Sequence, residues 1–223
     1  MCYSVAFDTT GTSCSIALLD DDKIISSFEQ NMDFGQSEVL IPKIKEILKK
    51  NDLKFSSLNN LFVCVGPGSF TGVRSSISAA RIFGLANSDL KVCGVSAFDA
   101  YIQALDKEDI ADINAVIIET RREDFYVQFF DKQLRKIKNA EALSRDIIIE
   151  QLKSKGCLIT LIGDGIERFL SAPSGLTFHA IKMLDSLPIY SLYQAGIKMI
   201  KSKKIDYPKP LYLRSPDVTT PKG

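Results

Sequence analysis

The chain has 223 residues, 45% of them apolar and 25% charged, and a formal net charge of +1. That length holds one large domain or two small ones, and the composition is that of a globular protein. A near-neutral total does not demand a polyanionic partner as a dedicated nucleic-acid module would, and a single histidine, His179, leaves any His-pair zinc site one ligand short.

Five cysteines (Cys2, Cys14, Cys64, Cys93 and Cys157) lack Cys-x-x-Cys spacing, and three of them lie in apolar strand-like runs. They read as small buried thiols in a reducing cytosol. Asp8 interrupts the first apolar segment too early for a signal sequence. No apolar run approaches the roughly 18 residues of a membrane span. A cytoplasmic protein is expected.

Ser4 to Phe7, Cys14 to Leu19 and Lys23 to Glu29 read as three short strands of an antiparallel meander. The first connection, Asp8-Thr9-Thr10-Gly11-Thr12, has two readings. An acidic residue ending a strand, then two hydroxyls and a glycine, can hold a phosphate or a metal-bound water. The same residues also make a hairpin turn in which Asp8 and Thr9 bond nearby backbone, and the residues alone favour that reading. Ser37 to Lys50 follows as a helix with Leu40, Ile44, Ile47 and Leu48 in one stripe, Ser37 as its cap and Glu38 at the positive end of the dipole. Pro42 predicts a late start or a kink. Val39 and Ile41 widen the apolar surface beyond one sheet contact.

Leu61 to Val65 reads as a buried strand running into Gly66-Pro67-Gly68-Ser69-Phe70-Thr71-Gly72-Val73-Arg74, a sharp turn, and then a helix to Asn87. The turn has neither the glycine gap nor the lysine of a Walker loop, and one residue too many for a dinucleotide fingerprint. Ser69 lacks the flanking glycines of a nucleophile elbow. The helix has no clearly polar face. Val73, Ile77, Ala80 and Gly84 form one stripe, while Ser75, Ser78, Ala79, Ile82 and Phe83 keep the other faces small or apolar. Such a helix is covered on more than one side, by core or by a partner. Arg74 and Arg81, two turns apart on one face, suit the rim of a partner interface better than a core.

Lys91 to Val95 reads as a strand, Ser96 as the cap of a helix to about Leu105, and the acidic run Asp106 to Asp112 as a lobe boundary. Ala115 to Ile118 and Phe125 to Phe130 bracket a charged hairpin, Glu119 to Asp124. Ser144 to Lys155 reads as an amphipathic helix with Ile147, Ile148 and Leu152 apolar. Cys157 to Ile162 reads as a strand ending in Gly163-Asp164-Gly165, a tight turn or a second ligand loop, the turn being preferred. Ile189 to Lys201 is the last helix, and Tyr207 to Gly223 reads as a solvated tail. The order strand–strand–strand–helix–strand–helix thus recurs, reduced, in the second half.

With the Asp8–Thr12 turn after the first strand and Gly66–Arg74 after the fourth, this order resembles the TsaB (YeaZ) family, bacterial partners in making threonylcarbamoyladenosine (t6A) in tRNA. Ser37-Glu38 leading to Leu40-Ile41-Pro42, Gly94-Val95-Ser96-Ala97 and Tyr212-Leu213-Arg214 extend the resemblance over nearly the whole chain. It implies an α/β, two-lobed actin-like ATPase fold (ASKHA, ribonuclease H-like) with mixed sheets. Residues 1–106 would form the first lobe with the interface helices, and 107–223 a reduced second lobe with the C-terminal helix and tail. It further implies a non-catalytic scaffold of the t6A transferase complex. The scaffold would pair with a TsaD-like catalytic subunit, or with itself when alone, beside a TsaE-like ATPase, with tRNA reached only through the complex. No cofactor is expected. The family's contact uses the first two helices, which here places Leu40, Ile44, Ile47, Val73, Arg74, Ile77, Ala80, Arg81 and Gly84 at the interface.

In the catalytic relative, TsaD, two metal-binding histidines four apart follow a Gly-Val-Asn lead-in. Aligned on Gly94-Val95-Ser96, those positions hold Ala97 and Tyr101. The chain also has Glu119-Thr120-Arg121 where the family has Asp-Ala-Arg, and little chain after Gly165 to build an adenine pocket. The competing reading is an ATP-binding ATPase or phosphotransferase of the same fold, using Asp8, Thr9, Thr10, Gly11 and Thr12. A peptidase, an older label for this family, has only His179 for a histidine base, in a segment without a nucleophile context.

Overall fold

The computed structural model describes residues 1–32 and 35–214. Two five-stranded mixed sheets form the frame. In the first, β1 (Tyr3–Asp8), β2 (Ser13–Asp20), β3 (Lys23–Asn31), β4 (Leu58–Cys64) and β5 (Lys91–Val95) lie in the order β3-β2-β1-β4-β5. β1 pairs antiparallel with β2, Phe7 opposite Ile16, and parallel with β4, Phe7 opposite Val63. β1, β2 and β4 are buried on both faces, which is why they read as nearly unbroken apolar runs, whereas the edge strand β3 is mostly solvated.

The second sheet holds β6 (Ile113–Glu119), β7 (Asp124–Asp131), β8 (Glu141–Ser144), β9 (Ile159–Gly163) and β10 (Ala180–Met183), in the order β10-β9-β6-β7-β8. Read from β8 to β10, this is the first sheet's order repeated. The helices repeat too. α1 (Gln36–Lys50), α2 (Phe70–Ala86) and α3 (Ala97–Ile102) follow the third, fourth and fifth strands of the first half. α4 (Arg145–Lys153), α5 (Ile166–Phe169) and α6 (Ile189–Lys201) do so in the second.

Three cores result. α1 and α2 cover one face of the first sheet, with Leu40, Ile44, Ile47, Val73, Ile77 and Ala80 packed on Phe7, Ile16, Leu61 and Val63. α4 and α5 cover the outer face of the second sheet through Ile148, Ile149, Leu152, Ile166 and Phe169. The third core lies between the lobes, where α3 and α6 sit among Phe62, Val95, Val116, Phe130 and Ile162. α6 packs on β1, β2, β4 and β5. The expected second lobe of residues 107–223 therefore gives its last helix to the first lobe.

Other expectations need correction. α1 starts from Gly35, not from a Ser37 cap, and Ser37 is exposed. Pro42 sits inside α1 on its solvated side. α2 begins at Phe70, within the run read as turn, because Ser69 caps it by accepting a bond from Gly72 N. In α4, Ile149 rather than Ile147 joins the core. Two edge strands, β8 and β10, had no expectation. The segment 207–214, read as a solvated tail, packs on the first lobe, with Pro208 buried and Leu211 N bonded to Val65 O at 2.9 Å; the rest of that tail, Ser215 to Gly223, lies outside the described residues. No helix among the described residues is long and apolar enough to cross a membrane.

Candidate functional site

Between the lobes lies a cleft of about 700 Å³, floored by Asp8 and Asp164 and walled by the glycine run, by Glu119–Arg122 of the β6–β7 hairpin and by Leu211–Arg214. It brings together the turns at the ends of β1, β4, β6 and β9, where strand ends leave polar backbone unpaired by a sheet.

The Asp8–Thr12 turn and the glycine run fill one another. Thr9 donates its hydroxyl to Gly72 O at 2.9 Å and accepts from Ser76 Oγ at 2.6 Å. Ser69 N donates to Thr10 O at 2.7 Å, and Thr10 N to Asp8 Oδ1 at 2.8 Å. The fit explains the glycines: a Cβ on Gly72 would stand 1.9 Å from Thr9 O, and one on Gly68 2.4 Å from Thr10 O. The carbonyl oxygens of Thr9 and Thr10 thus pack directly against these two glycines. Of the five candidate nucleotide residues, Thr9 and Thr10 spend their hydroxyls inside the protein, whereas Gly11 and Thr12 are exposed and Asp8 is 3% exposed.

Burial pushes the Asp8 carboxyl above the usual carboxylate range, against bonds from Thr10 that pull it down. Asp164, which the sequence offered only as part of a tight turn, stands in the same cleft. Its Oδ1 accepts from Glu119 N at 2.9 Å, and the nearby buried Tyr101 hydroxyl also favours its charged form. Burial outweighs both and raises it to about 6. Glu119 is held low by a bidentate bridge from Arg168 at 2.7 Å, although its partial burial pulls upward. Ala97 and Tyr101 both line the cleft. Among the described residues no three of His, Cys, Asp or Glu group so as to hold a metal ion. His179 bonds Glu108 O through Nε2 at 2.8 Å, away from the cleft.

The expected interface residues divide. Leu40, Ile44, Ile47, Val73, Ile77 and Ala80 are each 4% exposed or less, all within the chain's own core. Gly84 faces β5, where a Cβ would meet Val92 at 3.0 Å. These seven present no side chain outward: Leu40, Ile44 and Ile47 hold α1 on the first sheet, and Val73, Ile77, Ala80 and Gly84 hold α2 there. Arg74 and Arg81 do lie outside it. Arg74 stacks on Phe70, 4.0 Å from the ring centre, and reaches Tyr212. Arg81 donates twice to Pro208 O, at 3.1 and 2.7 Å. The outward face of α2 is instead Phe70, Arg74, Ser78, Ile82 and Leu85, with Ile82 58% and Leu85 85% exposed. The sequence signal for it was the absence of a polar face on this helix.

Two lobes of repeated topology, closed by α3 and α6 around a cleft, define an actin-like α/β protein. A putative N-acetylmannosamine kinase from Listeria monocytogenes shares this fold at 10% identity and a TM-score of 0.52, over 90% of this chain and 99% of that one. YeaZ from Pseudomonas aeruginosa matches it more fully, with a TM-score of 0.79 at 21% identity over 96% of this chain and 100% of that one. The tRNA threonylcarbamoyladenosine biosynthesis protein TsaB of Escherichia coli K12 is 27% identical over 224 residues, 95% of this chain and 94% of its own. The model of the family described as "TsaD: tRNA N6-adenosine threonylcarbamoyltransferase" matches residues 35–210. The chain belongs to that family.

Proposed function

We propose that the chain is a non-catalytic cytoplasmic subunit in tRNA threonylcarbamoyladenosine biosynthesis, which pairs with a TsaD-like catalytic subunit through the outer face of α2. The observation that carries this reading is the pair Ile82 and Leu85, large apolar side chains left 58% and 85% exposed on a helix whose other face is fully used. An isolated exposed leucine is ordinary; two on one helical face beside a stacked Phe70–Arg74 pair make an anchor with a charged rim. The family match and the TsaB relatives support a TsaD-like subunit as that partner. Support for the non-catalytic role comes from the cleft, whose glycine run packs against the Thr9 and Thr10 carbonyl oxygens and whose wall carries Ala97 and Tyr101 where the catalytic relative has its two histidines.

The same face serves a second copy of the chain when the catalytic subunit is absent. A TsaE-like ATPase is the third member of the assembly, and tRNA is reached through the complex. Co-purification tests the pairing: Ile82→Glu and Leu85→Glu put an unpaired charge into a desolvated contact, at a cost of about 3–5 kcal/mol. Both variants are expected to stay folded and to lose the catalytic subunit. A folded Leu85→Glu variant that binds as the parent does would refute this face.

A further inference from the structure

After α6 the chain turns back and runs without regular structure along the first lobe and across the mouth of the cleft. Gly94 N, at the outer edge of β5, donates to Asp206 O at 2.8 Å. Pro208 is buried there, so close that a Cβ on Gly94 would stand 2.9 Å from its Cα. Arg81 holds the Pro208 carbonyl, and Leu211 N holds Val65 O at 2.9 Å. Tyr212 then stacks on Phe70 at 5.6 Å and accepts a bond from Arg74 Nε at 3.2 Å.

At Arg214 the segment leaves the first lobe. Its guanidinium pairs with Asp124 at the start of β7 and lies 5.5 Å from the Tyr126 ring. Asp124 is itself fixed by the Thr120 hydroxyl at 3.0 Å. Both members of the pair are about three-quarters buried, 24% and 23% exposed, so water screens it less than a surface bridge. The core around α3 and α6 joins the lobes on one side. The segment joins them on the other, across the open mouth.

We infer that residues 205–214 form an internal latch, with the Arg214–Asp124 pair as its catch, that holds the β6–β7 hairpin over the glycine run and sets how far the cleft opens. The first-lobe end is built of backbone bonds and close packing at Gly94, and the second-lobe end of side chains. The second end is therefore the one that releases. The latch belongs to the chain by itself and stands whether or not a partner sits on α2.

The test is the distance between the lobes in the full chain, measured by pulsed electron resonance. Spin labels are carried on non-natural residues at the exposed cleft positions Ser37 and Arg121, which leaves the five native thiols unlabelled. Arg214→Glu, which sets two carboxylates face to face, is expected to shift the distribution outward and roughly to double its width. Adding Asp124→Lys restores the opposite charges and the parent distribution. Tyr212→Ala loosens the first-lobe seat without touching the ion pair, and gives the same broadening should Arg214→Glu fail to fold. A parent-like distribution in both single variants, or a reversed pair that stays broad, overturns the latch.

Discussion

The reading of the glycine run as a packing corner makes a sharp prediction for Gly72→Ala. In a helix an alanine gains up to about 1 kcal/mol over glycine, and on propensity alone the variant is stabilised. The structure predicts the opposite. The new methyl would lie 1.9 Å from Thr9 O, where side chains essentially never come nearer than 3.0 Å, so α2 or the β1–β2 turn must move by about 1 Å. That shift strains two buried segments, at about 1–3 kcal/mol, and breaks the bond from the Thr9 hydroxyl to Gly72 O and the Thr9–Ser76 contact, about 1 kcal/mol each. Net of the helix gain, a loss of about 2–4 kcal/mol is expected, read as a lower urea midpoint at unchanged slope. Gly11→Ala is the control: nothing lies within 4 Å of its added methyl, so it should stay within about 0.5 kcal/mol of the parent. A Gly72→Ala protein as stable as the parent would show that the two turns do not interlock.

Three further outcomes follow from the same geometry. Asp164, raised by burial in the folded state to about 6, contributes stability that is complete below about pH 4 and lost as pH rises through 6; Asp164→Asn should flatten that slope and be more stable at pH 7 by about 1–3 kcal/mol, in urea titrations across pH. Ile77→Glu should unfold the chain, since Ile77 is 3% exposed in the core under α2, whereas Leu85→Glu keeps the circular dichroism spectrum and melting temperature of the parent. Calorimetry with ATP and magnesium should give no micromolar binding; heat that vanishes in Asp8→Ala would contradict the account of the cleft.

Much of the frame was legible because its signals are local. β1, β2 and β4 are continuous apolar runs bounded by turn residues, and the bounds of α6 follow directly from its periodicity. The misses share a physical cause. β8 and β10 are four-residue, half-exposed edge strands, too short to show alternation. Glycine and threonine in the first turn of α2 disguised its start, although Ser69 stood at the cap. A helix with small residues on every side offers two candidate stripes. Periodicity located a stripe, Val73–Ile77–Ala80–Gly84, but not which side of it met the sheet. Asp164 joins Asp8 in the inter-lobe cleft, and Pro208 finds Gly94 across the sheet edge. Nothing in a proline-punctuated tail announces contacts so distant in sequence.

The most direct test of the central claim is threonylcarbamoyl transfer to tRNA by purified components. The chain alone should give no product, and adding it to a TsaD-like catalytic subunit with the TsaE-like ATPase should restore transfer that Leu85→Glu cannot. Transfer by the chain in isolation, or full restoration by Leu85→Glu, would contradict the account.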